Sequence, residues 1–216
     1  MKNVFSVFAA LLAGLLTALL LNSAAFASAP NASPKSHILI LGDSLSAGYG
    51  LSTGQGWVDL LAKKLVAEKI SANVTNGSIS GDTTAGGVSR LPALLAKHKP
   101  THVVIELGGN DGLRGSPLSA AKANLQRMAD LAKAAGAKVI IVGMRMPPNF
   151  GLTYTTQFEA MYSDVAKASG AALVPFFLVA LGTDLTYFQP DRIHPTAAAQ
   201  PKLLDTVWPV LLKTLK

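Results

Sequence analysis

The sequence predicts an α/β protein: a three-layer α/β/α sandwich around about five parallel strands. Two patterns carry that prediction. Short Val/Ile/Leu runs alternate with longer stretches whose apolar residues recur at helical spacing. The runs are apolar throughout, which marks strands covered on both faces, and strands that alternate with helices imply βαβ crossovers and a parallel sheet.

In chain order, residues 37–41 (HILIL) read as a buried strand ending at Gly42. Residues 57–70 read as a helix, with Trp57, Leu60, Leu61, Lys64, Leu65 and Glu68 spaced around its period. Residues 72–75 form a short strand, and residues 83–97 a helix interrupted near Pro92. Residues 102–107 (HVVIEL) are a second long strand. Residues 119–135 form a helix with Ser119 near its cap and Gly136 closing it. A strand at 138–142, a helix at 154–169 ending at Gly170, a strand at 172–174 and a terminal helix at 195–215 complete the pattern. No repeat or second domain interrupts it.

Composition narrows the function. With 216 residues, half of them hydrophobic and 14% charged, the chain has material for one real core and is not generally disordered. The absence of cysteine excludes a disulfide scaffold, a thiolate zinc site, a cysteine nucleophile and a lipoprotein anchor. The four histidines, His37, His98, His102 and His194, show no H-E-x-x-H spacing, so no metal is expected. The net charge of +7 is spread over residues such as Lys63, Lys64, Lys97, Lys133 and Lys167. It reads as a solvated basic surface, or more sharply as transient attraction to an anionic membrane surface. No basic block is interleaved with aromatics, so no nucleic-acid partner is expected.

The N-terminus reads as a leader. Lys2 precedes an apolar run from Val4 to Leu21, and Ala25-Phe26-Ala27 is a small-residue cleavage signal. The expected division is a signal peptide at 1–27, a flexible mature N-terminus at 28–36 and the catalytic domain at 37–216. An uncleaved anchor is the competing reading, because the run is near bilayer-spanning length. Cleavage implies a periplasmic or secreted protein.

Three segments follow strands directly: Gly42-Asp43-Ser44-Leu45-Ser46, Gly77 to Asp82, and Gly108-Gly109-Asn110-Asp111. In open parallel sheets the working residues lie beyond the carboxyl ends of the strands, so all three should meet at one edge. A serine hydroxyl needs a base, and Asp191-Arg192-Ile193-His194 supplies an acid and an imidazole three residues apart. Acyl transfer also needs donors for an oxyanion. The backbone amides of Ser44 and Gly81 and the side-chain amide of Asn110 are candidates. Each segment alone could be an ordinary turn; it is their joint occurrence that points to chemistry. No Walker motif and no G-x-G-x-x-G after a strand supports a nucleotide site.

The blocks ILGDSLSAGYG, NGSISGDTTAGG, ELGGNDGLRG and DRIHP resemble those of the GDSL/SGNH hydrolases. More narrowly they are similar to the bacterial periplasmic group of multifunctional thioesterases, proteases and lysophospholipases. The resemblance runs from about His37 to the C-terminus. It implies a flavodoxin-like fold and no cofactor. It implies catalytic Ser44, Asp191 and His194, with Ser44, Gly81 and Asn110 forming the oxyanion hole. The implied function is a serine hydrolase acting on carboxylic esters and thioesters through an acyl-serine, as a monomer, on a small-molecule acyl ester or thioester. A deacetylase of cell-envelope sugars and a non-catalytic lipid-binding protein are the alternatives. Two departures stand out. Arg192 lies between acid and base where a small or neutral residue is more usual, and Ser116-Pro117 replaces a bulkier apolar residue.

Other residues read less sharply. Asp43 and Asp111 are expected to hold local turn amides, and His37 and His102 to be structural. Trp57 is expected in the core. Phe150, Tyr154, Met144 and Met146 either line an acyl groove or belong to the core. The segment from Gly112 to Pro117 is either a lid hinged at Gly112 and Gly115 or a rigid connection.

Overall fold

A computed structural model describes residues 35–216; the expected leader and residues 28–34 lie outside it. Five strands form one parallel sheet in the order β2-β1-β3-β4-β5. They are β1 (Ser36–Gly42), β2 (Ala72–Asn76), β3 (His102–Glu106), β4 (Lys138–Val142) and β5 (Ala172–Val174). β3 is buried at every residue, whereas β2 and β5, at the edges, are shorter on buried positions. That is the three-layer, flavodoxin-like architecture the apolar runs predict.

The helices are α1 (Ser44–Ala47), α2 (Trp57–Ala67), α3 (Thr84–His98), α4 (Gly109–Leu113), α5 (Leu118–Ala134), α6 (Leu152–Ser169) and α7 (Gln200–Leu215). α3, α5 and α6 pack side by side, as do α2 and α7, forming the two outer layers. The core between them includes Ile38 to Leu41, Val103 to Ile105 and Ile140 to Val142, with Trp57, Phe158 and Phe177 filling the flanks.

Several boundaries differ from expectation. α3 runs unbroken through Pro92, whose exposed ring sits on the outer side of the helix. α5 starts at Leu118 after Pro117, so Ser119 lies in its first turn and caps nothing. Gly136 does close α5, at φ 83°, with its amide donating to the Lys133 carbonyl. The terminal helix begins at Gln200, not at Pro195. Pro195 instead bridges Phe188, and the Thr196 amide donates to the Tyr187 carbonyl. These contacts hold residues 188–196 as a loop and delay the helix until a short 3-10 turn at Ala197–Ala199.

The sheet order decides where the site lies. The chain moves from β1 to β2 on one side, then crosses back to place β3 on the other side of β1. At such a reversal the connections leave in opposite directions and open a crevice above the carboxyl ends. β1 ends at Gly42 and β3 at Glu106, and these two residues are register partners on adjacent strands. At the end of β4, Gly143 lies against the next connection: a Cβ there would fall 2.4 Å from the Pro175 carbonyl oxygen. Because the obstacle is backbone, Gly143→Ala is expected to destabilise the fold by about 1–3 kcal/mol, the usual range for overpacking. Urea unfolding checks this, and an unchanged midpoint would show that the β4 and β5 connections can part freely.

Candidate active site

Beyond β1 the chain turns at once. A Cβ on Gly42 would lie 2.7 Å from the Ser46 Cβ and 2.8 Å from Glu106 Oε2, so only glycine fits at the turn. Asp43 caps the single turn of α1, its Oδ1 accepting from the Leu45 amide at 3.0 Å. Ser44 is therefore the first helical residue, and its amide has no acceptor among the described residues.

His194 comes from the loop before α7. Its Nε2 lies 2.8 Å from Ser44 Oγ, and its Nδ1 lies 2.7 Å from Asp191 Oδ2. Asp191 Oδ1 accepts from the amides of Ile193 (2.9 Å) and His194 (3.0 Å). Those two amides, then the imidazole, hold the Asp191 carboxyl down to about 2. A carboxylate at Nδ1 places the ring proton there and leaves Nε2 able to accept from the serine hydroxyl.

Two residues that the sequence did not single out frame this imidazole. The Tyr49 ring lies against it, with centroids 4.4 Å apart. Gln189 donates to the carbonyls of Tyr49 (2.8 Å) and Pro195 (3.1 Å), tying the α1 turn to the histidine loop. Gly50 makes room for that glutamine, since a Cβ there would fall 2.2 Å from its Oε1.

The second turn follows β3. Gly108 adopts φ 114°, a conformation reserved in practice for glycine, and Tyr162 leaves no space for a side chain there. Asn110 then projects its amide so that Nδ2 donates to Asp43 Oδ2 (3.1 Å) and to the Asp82 carbonyl (2.9 Å). Gly81, at φ 78°, precedes Asp82 and its amide has no acceptor among the described residues. The structure thus brings Ser44, Gly81, Asn110, Asp191 and His194 to one end of the sheet. Ser44, Asn110 and His194 line a cavity of about 350 Å³, whereas Gly81 and Asp191, both exposed, do not line it.

The acidic residues do more than hold local amides. Asp43 bonds Leu45 locally, as expected, but its other oxygen reaches Asn110 across the site. Asp111 bonds no local amide. It accepts from the amide (2.9 Å) and hydroxyl (2.6 Å) of Thr84, at the start of α3. Glu106, hidden in an apolar strand, is wholly buried; its Oε2 is 2.7 Å from Ser46 Oγ and 3.4 Å from the Asp43 amide. Ser46 in turn accepts from Trp57 Nε1 at 3.2 Å. Burial, and the nearby Asp43 charge, push the Glu106 carboxyl well above the usual range. Burial likewise raises Asp43, to about 6. Burial is the first cause of both shifts. The signal in the sequence was the glutamate itself, an ionisable residue at the end of HVVIE.

Arg90 clamps the same region from α3. It donates to Asp82 Oδ2 (2.7 Å), to the Gly42 carbonyl (3.1 Å) and to the Gly77 carbonyl, joining the ends of β1 and β2.

The cavity wall is largely apolar, with Leu113, Met144, Met146, Pro147, Leu178 and Phe188. Met144 and Met146 therefore both line the groove and belong to the core. Tyr154 instead donates to the Gly112 carbonyl at 3.1 Å and stacks on Phe150. Gly112 is no hinge: it lies within the α4 turn, and a Cβ there would meet Met146 and Phe158 at 2.6 Å. The connection after Asn110 is a packed helical turn.

A profile described as "GDSL-like Lipase/Acylhydrolase family" matches residues 40–200. The esterase TesA of Pseudomonas aeruginosa is 54% identical over 81% of this chain and 87% of its own length. The thioesterase 1/protease 1/lysophospholipase L1 of Escherichia coli K12 is 43% identical over 78% of this chain and 79% of its own. The psychrotrophic esterase EstA from Pseudoalteromonas sp., solved in a form inhibited by monoethylphosphonate, superposes with a TM-score of 0.80. It is 40% identical, covering 83% of this chain and 98% of that one.

The raised carboxyl of Asp43 has a measurable consequence. Between its ordinary value of 3.8 and about 6, the folded chain keeps a proton there that the unfolded chain has released. The folded state binds more protons across that window, so this group's contribution to stability falls as pH rises through it. Asp43→Asn removes the slope. Relative to the unmodified chain, the variant is expected to gain on the order of 2 kcal/mol between pH 4 and pH 7. Urea unfolding at several pH values measures it; a difference that stays constant with pH would mean Asp43 titrates as an ordinary carboxylate.

Proposed function

This chain belongs to the GDSL-like lipase/acylhydrolase family and is a hydrolase of ester bonds, and we propose that it works through an acyl-serine formed on Ser44. The observation that carries the reading is the continuous line from Asp191 through His194 to Ser44, with contacts of 2.7 and 2.8 Å, opening on an apolar cavity.

In the proposed cycle His194 Nε2 takes the proton of Ser44 as Oγ attacks the carbonyl carbon. Asp191 holds the ring orientation and stabilises the imidazolium that results. The developing oxyanion turns toward the amides of Ser44 and Gly81 and the Asn110 side chain. Asn110 already has two acceptors, Asp43 and the Asp82 carbonyl, so its amide enters the reaction oriented and shares one hydrogen with the oxyanion. Collapse expels the alcohol or thiol, which leaves with the proton from His194. Water, activated by the same base, then attacks the acyl-serine and releases the acid.

For substrates we propose carboxylic esters and thioesters with apolar acyl chains: lysophospholipids, acyl thioesters and aryl esters. Support comes from the Met, Leu, Pro and Phe lining of the cavity, which suits a hydrocarbon chain better than an acetylated sugar. The esterase and thioesterase/lysophospholipase relatives point the same way.

We further propose that residues 1–27 are a cleaved signal peptide and that the catalytic domain acts in the periplasm or outside the cell. The support is the Ala25-Phe26-Ala27 exit from the apolar run. N-terminal sequencing of exported protein is expected to begin at Ser28; an intact Met1 on membrane-bound protein would favour an anchor instead.

Ser44→Ala removes one hydroxyl from a turn whose backbone is held by Asp43. It is expected to fold normally, to lose ester turnover and to lose labelling by a fluorophosphonate probe. Near-normal turnover in this variant would remove Ser44 from the mechanism.

A further inference from the structure

Arg192 stands between the acid and the base, and its backbone is unusual. Among the described residues three non-glycines have positive φ: Lys69, Lys99 and Arg192, at 56°, 44° and 59°. Lys99 caps the end of α3, and Lys69 follows the end of α2, where left-handed residues are common. Arg192 ends no helix. It lies in the turn where its amide donates to the Gln189 carbonyl at 2.8 Å and the next two amides grip Asp191. Glycine would adopt this angle without penalty, so the backbone gives no reason for an arginine here.

The side chain offers one. Arg192 is exposed, lines the same cavity as Ser44 and His194, and has no hydrogen-bond or ion-pair partner among the described residues. The neighbouring arginines are engaged. Arg145 pairs with Glu159 at 2.6 Å and covers Phe176, Arg114 donates to the Gly81 carbonyl, and Arg90 is locked to Asp82. The nearby acids are engaged too, Asp191 by the imidazole and Asp43 by Leu45 and Asn110. Arg192 is a cation left to meet something outside the protein.

Which side of the substrate it meets follows from the chemistry. His194 must reach the leaving oxygen to return its proton, so the leaving group sits against the histidine loop. Arg192 is on that loop, two residues away. We infer that Arg192 is a specificity-determining residue that selects esters whose leaving alcohol carries a phosphate close to the scissile bond. The inference rests on the hydrolase reading above. A guanidinium suits the role because it binds phosphate oxygens through paired N–H donors. The apolar cavity takes the acyl chain while the charge stays at the mouth.

The test uses substrate pairs with one short acyl chain, dissolved as monomers. The first pair is the 1-acylglycerol and the same ester carrying a 3-phosphate. The second is a neutral acyl-N-acetylcysteamine and the acyl-coenzyme A, whose phosphates lie at the end of a long arm. The readout is the kcat/KM ratio of phosphorylated to neutral substrate. Charge-assisted hydrogen bonds have the strength to change that ratio about tenfold or more. Arg192→Gln and Arg192→Gly are each expected to lower it by about that factor in the glycerol pair, and Arg192→Lys to retain more of it than Gln. The glycine variant suits the backbone angle, which guards against a folding defect. A fall confined to the glycerol pair is the expected result and places the recognised phosphate near the ester; an equal fall in both pairs overturns that placement. A glycerol-pair ratio that moves less than twofold overturns the inference while leaving the hydrolase reading intact. Failure of the unmodified chain to cleave any of the four substrates would overturn both.

Discussion

β1 and β3 lie side by side, and the connections that leave them run to opposite faces of the sheet. That reversal is the constraint on which the rest of the site depends. It leaves a gap above two adjacent strand ends, and both ends are then closed by tight turns rather than by long loops. The turn after β1 presents Ser44 and the turn after β3 presents Asn110. Neither could face the other if β2 or β4 stood between them. The contact from Asn110 to Asp43 closes the gap from below, so two turns remote in sequence share one hydrogen bond.

Rigidity around the gap comes from polar groups that are almost all paired. Arg90 binds the ends of β1 and β2, Asp111 binds the start of α3, and Gln189 binds the histidine loop to the serine turn. Glu106 is different, because its Oε1 has no partner. A buried carboxyl with one idle oxygen is expensive to keep. Its other oxygen supports the α1 turn through Ser46 and the Asp43 amide. The arrangement is an investment of stability in the geometry of one turn, and it explains why Gly42 and Ser46 must be small.

Much of this was legible in the sequence. Uniformly apolar strand runs fixed the parallel sheet, and the strand-following turns located Ser44, Gly81 and Asn110 at a common edge. The short spacing from Asp191 to His194 made their pairing local. What escaped were relations between distant segments. Nothing near Asp111 announces Thr84 as its partner, and Tyr49 and Gln189 meet the imidazole only because the sheet brings their loops together. Residues 195–199 have helical composition, yet hydrogen bonds from the Thr196 amide to the Tyr187 carbonyl and from Gln189 to the Pro195 carbonyl hold them out of α7. Gly112 read as a hinge because glycine permits unusual angles, but here its value is the absence of a side chain beneath Met146 and Phe158.

The long separation between Ser44 and His194, 150 residues, also imposes an order in time. A chain is made from its N-terminus, so the Ser44 turn, the Asn110 turn and all five strands are synthesised before Asp191 and His194. Under the proposed mechanism, the Ser44 hydroxyl therefore has no base until the last loop docks against Tyr49. On that reading, catalysis would report that the loop carrying Asp191 and His194 has docked against the turn after β1.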